Sequence, residues 1–281
     1  MPVTTVDAVR ILVTNDDGVD SVGLHELARA LVDVGEVTVA APDTEYSGAG
    51  ASLGPMHLMR PEVHDAHIEG VERAWSVSGP PGLCVVYSQL GLFGEPFDLV
   101  VAGINPGMNV GRSVYHSGTV GAALTARNGG TTGIAISQAV SGWGVEGQGA
   151  NEVLIDQNWS TAALVGQAVA TSIAADPPTA VAAVNVNVPN MPMDELKGWR
   201  HTVIGSAPPR SLSTAQLVPK DGHAGTYRVE MQWGEPDELA IDTDGGAVMA
   251  GLVSLTWLNH LHEDAPPDDD PAARGLADLL G

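Results

Sequence analysis

The chain is poor in sulfur, in aromatic rings and in positive charge. Its 281 residues include one cysteine, two phenylalanines and 12 lysines and arginines, against 34 aspartates and glutamates. A single thiol, Cys84, excludes an internal disulfide and a thiolate zinc site, and reads as a small buried apolar residue. The formal net charge of -22 argues against duplex nucleic acid as a partner, because duplex binding needs a basic surface that neutralises phosphates. Small phosphorylated ligands stay open, since a bound cation inverts the local charge. No uninterrupted apolar run reaches the roughly 18 residues of a membrane span, so no membrane partner is expected. Residues 1–9 carry acidic and polar side chains rather than a leader-like apolar stretch, so a cytoplasmic protein is expected.

What the chain has is apolar material, 44% of its residues, enough for one large core with at most a smaller appendage. The apolar runs at 11–13, 37–41, 98–102, 133–137 and 180–188 read as strands. Helical spacing at 22–32, 119–126 and 161–175 falls between them. This alternation predicts an α/β fold with a doubly wound, mostly parallel sheet. Asn185 and Asn187 stand at period two in the last of these strands, and the Gly-rich stretch 140–149 reads as a flexible loop. After Pro189 short strands alternate with Pro, Gly and charged turns. The expected division is residues 1–188 as the α/β domain, 189–246 as a β-rich extension or arm, and 247–281 as a segment returning to the core. The run 266–271, with three consecutive aspartates, reads as exposed.

The chemistry-bearing residues gather after strands. Thr14-Asn15-Asp16-Asp17-Gly18 follows the first strand directly. Two adjacent carboxylates repel unless something positive lies between them, and magnesium is held by only one or two protein carboxylates. A solvated turn with one Asp capping the helix is the plainer alternative. Pro42-Asp43-Thr44-Glu45-Tyr46-Ser47-Gly48 follows the second strand, and Gly103-Ile104-Asn105-Pro106-Gly107-Met108-Asn109-Val110-Gly111 another. In a doubly wound sheet these loops open on the edge that carries ligands. There Ser47 and Asn105 can add neutral oxygens to Asp16 and Asp17, an all-oxygen set suited to magnesium or manganese and poorly suited to zinc. Ser117-Gly118-Thr119 opens a helix, where free N–H groups and the dipole favour a phosphate. Ordinary N-capping by Ser117 explains the same residues. His116 reads as either a proton donor or a packed or solvent-facing histidine. A phospho-aspartate nucleophile two residues before Asp17 is excluded by Asn15, and no Gly-x-x-x-x-Gly-Lys-Ser/Thr phosphate loop occurs. His57, His64 and His67 read as surface residues.

Together, Thr-Asn-Asp-Asp-Gly at 14–18, Ala-Pro-Asp at 41–43 with Ser47-Gly48, Gly-Ile-Asn-x-Gly-x-Asn-x-Gly at 103–111 and Ser-Gly-Thr-Val at 117–120 resemble the survival protein SurE family. Weaker echoes lie at 79–85, 185–189, 243–244 and 253–256. These are metal-dependent nucleoside monophosphate phosphatases. The resemblance implies a Rossmann-like α/β domain with a C-terminal extension used in dimerisation or swapping. It implies that Asp16, Asp17, Ser47 and Asn105 ligate one divalent cation per subunit, magnesium or manganese. Asn15, Asn109 and the Ser117-Gly118-Thr119 turn would hold the substrate phosphate, and Asp16 or Asp17 would take the proton of the attacking water. A homodimer or homotetramer hydrolysing nucleoside 5′- and 3′-monophosphates is the implied assembly. A broad acid phosphatase or exopolyphosphatase at the same site, and a non-catalytic metal-dependent nucleotide sensor, are the alternatives. The chain departs from the family in carrying Thr44, Glu45 and Tyr46 where basic residues usually stand. It also departs in carrying His116 in place of the usual tyrosine.

Overall fold

In the computed structural model the described residues are 8–54, 60–140, 154, 156–209, 211–235, 238–259 and 271–280. The chain runs β1 (Arg10–Thr14), α1 (Val22–Leu31), β2 (Glu36–Pro42), β3 (Val63–Ala66), β4 (Arg73–Val77), α2 (Pro81–Gln89) and β5 (Leu99–Pro106). It continues through α3 (Gly118–Asn128), β6 (Thr132–Gln138), α4 (Trp159–Ala175), β7 (Ala183–Val188), β8 (Trp199–His201), β9 (Leu212–Pro219) and β10 (Tyr227–Trp233). It ends with α5 (Asp244–Met249), β11 (Val253–Leu258) and α6 (Pro271–Leu280).

Nine strands form one sheet in the order β3-β4-β2-β1-β5-β6-β7-β11-β8. From β4 to β7 every neighbour is parallel, while β3 and β11 pair antiparallel with β4 and β7. This is the α/β, mostly parallel architecture expected from the alternation of apolar runs. The sheet is buried on both sides by period-two alternation: Ile11 and Val13 join the core under α1 and α4, while Leu12 joins the core under α2 and α3. Helix α1 buries Leu24, Leu27, Ala28 and Leu31 on one stripe, and Ser21 caps it through the Leu24 N–H.

Strand order reverses between β1 and β5. The chain first moves outward through β2 to β4, then returns to lie beside β1 and moves outward again through β6 and β7. Crevices outside the carboxyl ends of strands at such a switch point are where α/β sheets bind ligands. β5 extends to Pro106, so Asn105 belongs to the strand rather than to the loop after it. A register shift between Ala102 and Asn105 sets this extension apart. Gly103 is required there: its φ is +137°, and a Cβ would stand 2.3 Å from the Ile136 carbonyl oxygen.

The extension is less separate than the sequence suggests. β8 sits in the main sheet beside β11, and Val203 bridges to Thr243. Only β9 and β10 stand apart, as a two-stranded antiparallel ribbon with Leu217, Tyr227, Val229 and Met231 exposed. β11 lies in the main sheet, antiparallel to β7. The stretches 141–149 and 266–270 and His57 lie outside the described residues, while His64 and His67 are exposed.

Asp244 ties these pieces together. Its buried carboxylate accepts backbone N–H bonds from Gly111 (2.9 Å), Gly205 (3.0 Å) and Gly245 (2.9 Å). Burial pushes its pKa up, against the lowering effect of these donors. Asp244→Ala leaves three N–H groups without an acceptor and is expected to cost on the order of 1–3 kcal/mol, read from urea unfolding. An unchanged midpoint would show that water replaces the carboxylate. Cys84 is fully buried, and burial pushes its thiol up to about 12. A thiol reagent is therefore expected to label the unfolded chain and spare the native one.

Candidate active site

Asp16 lies fully buried just past β1. Its Oδ1 accepts a 2.5 Å hydrogen bond from the Thr119 hydroxyl of α3, and its Oδ2 is buried without a hydrogen-bond partner. Burial pushes the carboxyl pKa up. The Thr119 hydroxyl and the backbone N–H groups of Asp16, Thr119 and Gly118 oppose that shift. Gly118 packs directly on this carboxylate: a Cβ there would stand 2.7 Å from Asp16 Cβ and Oδ2. The helix start expected to face a phosphate thus faces Asp16 first. Ser117 is buried and caps α3, accepting the Val120 N–H at 3.0 Å.

Asn105 arrives from the neighbouring strand. Its Oδ1 is 3.4 Å from the same Thr119 hydroxyl, and its Nδ2 donates to the Gly107 carbonyl at 2.7 Å, which turns the amide oxygen toward Asp16. The loop after β2 is fastened to the site by the Tyr46 N–H, which donates to the Asp16 carbonyl at 2.7 Å. Ser47 is the next residue, and its hydroxyl donates to Glu45 at 2.8 Å. With its proton committed there, the Ser47 oxygen offers only lone pairs to a ligand. Asp17 is half-buried beside Asp16.

Asn15 lies one residue before the aspartates, fully buried, with its Oδ1 unpartnered. Its Nδ2 donates to the Gly18 carbonyl (3.1 Å) and to Ser21 Oγ (2.6 Å), so both amide hydrogens brace the turn that holds the two aspartates. Asn109 is buried beside β6 and β7, with Nδ2 donating to Ser137 Oγ at 2.9 Å and Oδ1 unpartnered. His116 is exposed at the rim, its ring edge-on to Tyr115 at 5.8 Å, and its carbonyl accepts the Gly50 N–H.

The donor set fits a hard cation. Asp16, Asp17, Asn105 and Ser47 supply oxygen only, and the unpartnered Oδ2 of Asp16 is a buried group that a cation would satisfy. Among the described residues no group of three or more His, Cys, Asp or Glu is placed to hold a metal. A cation here would therefore depend on the neutral oxygens of Asn105 and Ser47.

The family model of survival protein SurE matches residues 11–210. The chain belongs to the SurE family. It is 35% identical over 285 residues to the 5′-nucleotidase SurE of Dehalococcoides mccartyi, covering 97% of this chain and 100% of the relative. It is 38% identical over 259 residues to the 5′-nucleotidase SurE of Coxiella burnetii, covering 92% of each. The crystal structure of the SurE protein from Aquifex aeolicus superposes with a TM-score of 0.72 at 26% identity, covering 97% of this chain and 100% of that one. The SurE match spans β1 through the start of the extension, so it contains every residue of the site just described.

Ser137, which holds the Asn109 side chain, and Asp244, which holds the turn at Gly111, have partners that the sequence did not reveal. Ser137 is one small polar residue in an apolar strand, and the echo at 243–244 gives no sign of the glycine N–H groups that Asp244 receives. The sequence did show Asn185 and Asn187, by their period-two placement, but not their partner.

Proposed function

We propose that this SurE chain is a divalent-metal-dependent phosphomonoesterase that hydrolyses nucleoside 5′-monophosphates, and 3′-monophosphates at the same site, to nucleoside and phosphate. The observation that carries the reading is the buried, unpartnered Oδ2 of Asp16 beside the amide oxygen of Asn105, which faces the same Thr119 hydroxyl, at the sheet's switch point. Magnesium or manganese held by Asp16, Asp17, Ser47 and Asn105, one per subunit, would supply Lewis-acid polarisation of the phosphoryl group and activation of water. Asp17, the more accessible of the two carboxylates, takes the proton of the attacking water, with Asp16 as the other candidate base. Asn109, Thr119 and the Ser117-Gly118 turn orient the phosphate and meet the charge that develops on its oxygens. The names of the relatives, 5′-nucleotidase and 5′/3′-nucleotidase, support the choice of substrate.

The test is phosphate release from a panel of nucleoside monophosphates, p-nitrophenyl phosphate and polyphosphate, after chelation and after adding back magnesium or manganese. Restored release favouring the nucleotides is expected. Full activity in excess chelator would remove the metal from the reading. Polyphosphate as the best substrate would replace the nucleotidase by an exopolyphosphatase, and nucleotide binding without turnover would leave a sensor.

The assembly belongs to the same proposal. The exposed apolar residues of the β9–β10 ribbon suit a homodimer in which the ribbon packs against a second copy. Light scattering at micromolar concentration should give a dimer or a multiple of it. A monomer would count against the arm as an interface. Among the described residues no helix is long and apolar enough to cross a membrane, and a cytoplasmic setting completes the reading.

A further inference from the structure

Both backbone groups of Asn109 are held by side chains of β7. Its N–H donates to Asn187 Oδ1 at 2.8 Å. Its carbonyl accepts from Asn187 Nδ2 at 3.1 Å and from Asn185 Nδ2 at 2.8 Å. The single carboxamide of Asn187 therefore occupies both backbone groups of one residue, as a neighbouring strand would. Asn185 adds a second donor to the same carbonyl. All three asparagines are fully buried. Asn185 and Asn187 are two apart in β7 and so share one face of the sheet. Across the β6–β7 ladder Asn187 stands opposite Ser137, the residue that receives the Asn109 side-chain donor. Backbone and side chain of Asn109 are thus fixed from two adjacent strands. The preceding turn is pinned in the same way, with the Gly107 N–H donating to the Gln138 carbonyl at 2.7 Å.

Such a cluster is costly to bury in a strand that could carry valines at these positions, the more so because the Oδ1 atoms of Asn109 and Asn185 are buried without a partner. Its pairs converge on one peptide, in the segment that follows Asn105. We propose that Asn185 and Asn187 are positioning residues that fix Asn109 for contact with the substrate phosphate. The inference rests on the reading of Asn109 as a phosphate contact. A displacement of about 1 Å at such a contact costs on the order of a hundredfold in rate, so a rigid mount for Asn109 has a kinetic consequence.

The experiment uses full-length Asn109→Ala, Asn187→Ala, Asn187→Asp, Asn185→Ser and the double variant Asn109→Ala with Asn187→Ala. Each is measured for the inhibition constant of inorganic phosphate, for KM and kcat with a nucleoside monophosphate, for manganese affinity by electron paramagnetic resonance, and for urea stability. Asn187→Asp keeps the acceptor for the Asn109 N–H and turns the donor into an oxygen facing the Asn109 carbonyl. Asn185→Ser leaves the paired Asn187 bonds in place, so it serves where Asn187→Ala does not fold. The expected result is weaker phosphate inhibition and lower kcat in the Asn185 and Asn187 variants, tenfold or more in order of magnitude, with manganese affinity unchanged. In the Asn109→Ala background, Asn187→Ala should add nothing to the loss of phosphate affinity, because both act through one side chain. Unchanged phosphate inhibition in folded Asn187→Asp and Asn185→Ser, while Asn109→Ala loses it, overturns the positioning role and leaves the phosphate reading standing. Additive loss in the double variant overturns it too. Unchanged inhibition in Asn109→Ala overturns the phosphate role of Asn109 and the proposal with it.

Discussion

Asp16→Asn is expected to reduce nucleotide hydrolysis on the order of a thousandfold if Asp16 is, as proposed, one of two charged ligands of a cation, since several kcal/mol of charge stabilisation would go with it. The fold should survive, since Asn keeps an oxygen for the Thr119 hydroxyl. Stability in chelator should respond in the opposite sense. Burial holds the Asp16 carboxyl above its ordinary value of 3.8, so the folded state favours the protonated form. The stabilisation that this provides is complete below the ordinary value and is lost as pH rises through the raised folded one. Asn at this position stays neutral throughout. The difference in chemical stability between Asp16→Asn and the unmodified protein should therefore move in favour of the variant as pH rises across that window. Phosphate release measured with and without manganese, beside urea midpoints at several pH values, checks both halves. Wild-type turnover in the variant would end the metal reading.

Gly118→Ala is expected to be nearly as damaging, for a reason that the sequence does not suggest. Seen as a helix start, the turn invites a methyl group as a probe of phosphate approach. In the structure that methyl group meets Asp16 at 2.7 Å before any ligand. Either the carboxylate moves or α3 does, and both disturb the relation of Asp16 to Asn105. A fall in turnover of about a hundredfold or more is expected, accompanied by weaker manganese binding. Ser117→Ala separates the cap from the clash: it removes the acceptor of the Val120 N–H, costs about 1 kcal/mol of stability, and is expected to leave manganese binding unchanged whatever it does to phosphate affinity. If Gly118→Ala binds manganese normally and loses only phosphate affinity, the carboxylate has stayed in place and the helix start faces the substrate directly.

The sequence made the sheet and the rim of the site legible because both rest on local patterns. β1, β2, β5, β6 and β7 are apolar runs, and Asp16, Asn105 and Thr119 lie at the ends or starts of elements whose period is visible. β8 and β11 were harder to place. β8 has three residues, and β11 joins the sheet only because β7 offers it a free edge. Composition after Pro189 does not show that β8 pairs with β11, since sheet membership is decided by pairing across the sheet. Within the site, residue types were legible and partners were not. Asn15, expected to help hold the phosphate, places both amide hydrogens on Gly18 and Ser21 and leaves its Oδ1 unpartnered, none of which residue type alone reveals. Ser137 gave no signal at all, because a single hydroxyl in a buried strand means nothing until Asn109 is placed over it.

The bond between Thr119 and Asp16 joins residues 103 positions apart, and Asn105 reaches them from a third element. In the unfolded chain these oxygens are strangers, so a cation that needs all of them recognises the native state alone. Binding of that kind raises the free energy of unfolding by about 2.7 kcal/mol when the free cation stands at one hundred times its dissociation constant. If the proposed cation binds here, the melting temperature of this protein should be a titration curve for it, rising with concentration for the ion that fits and standing still for one that does not. Under that linkage, a cell short of the right ion would have not only an idle enzyme but also a less stable one.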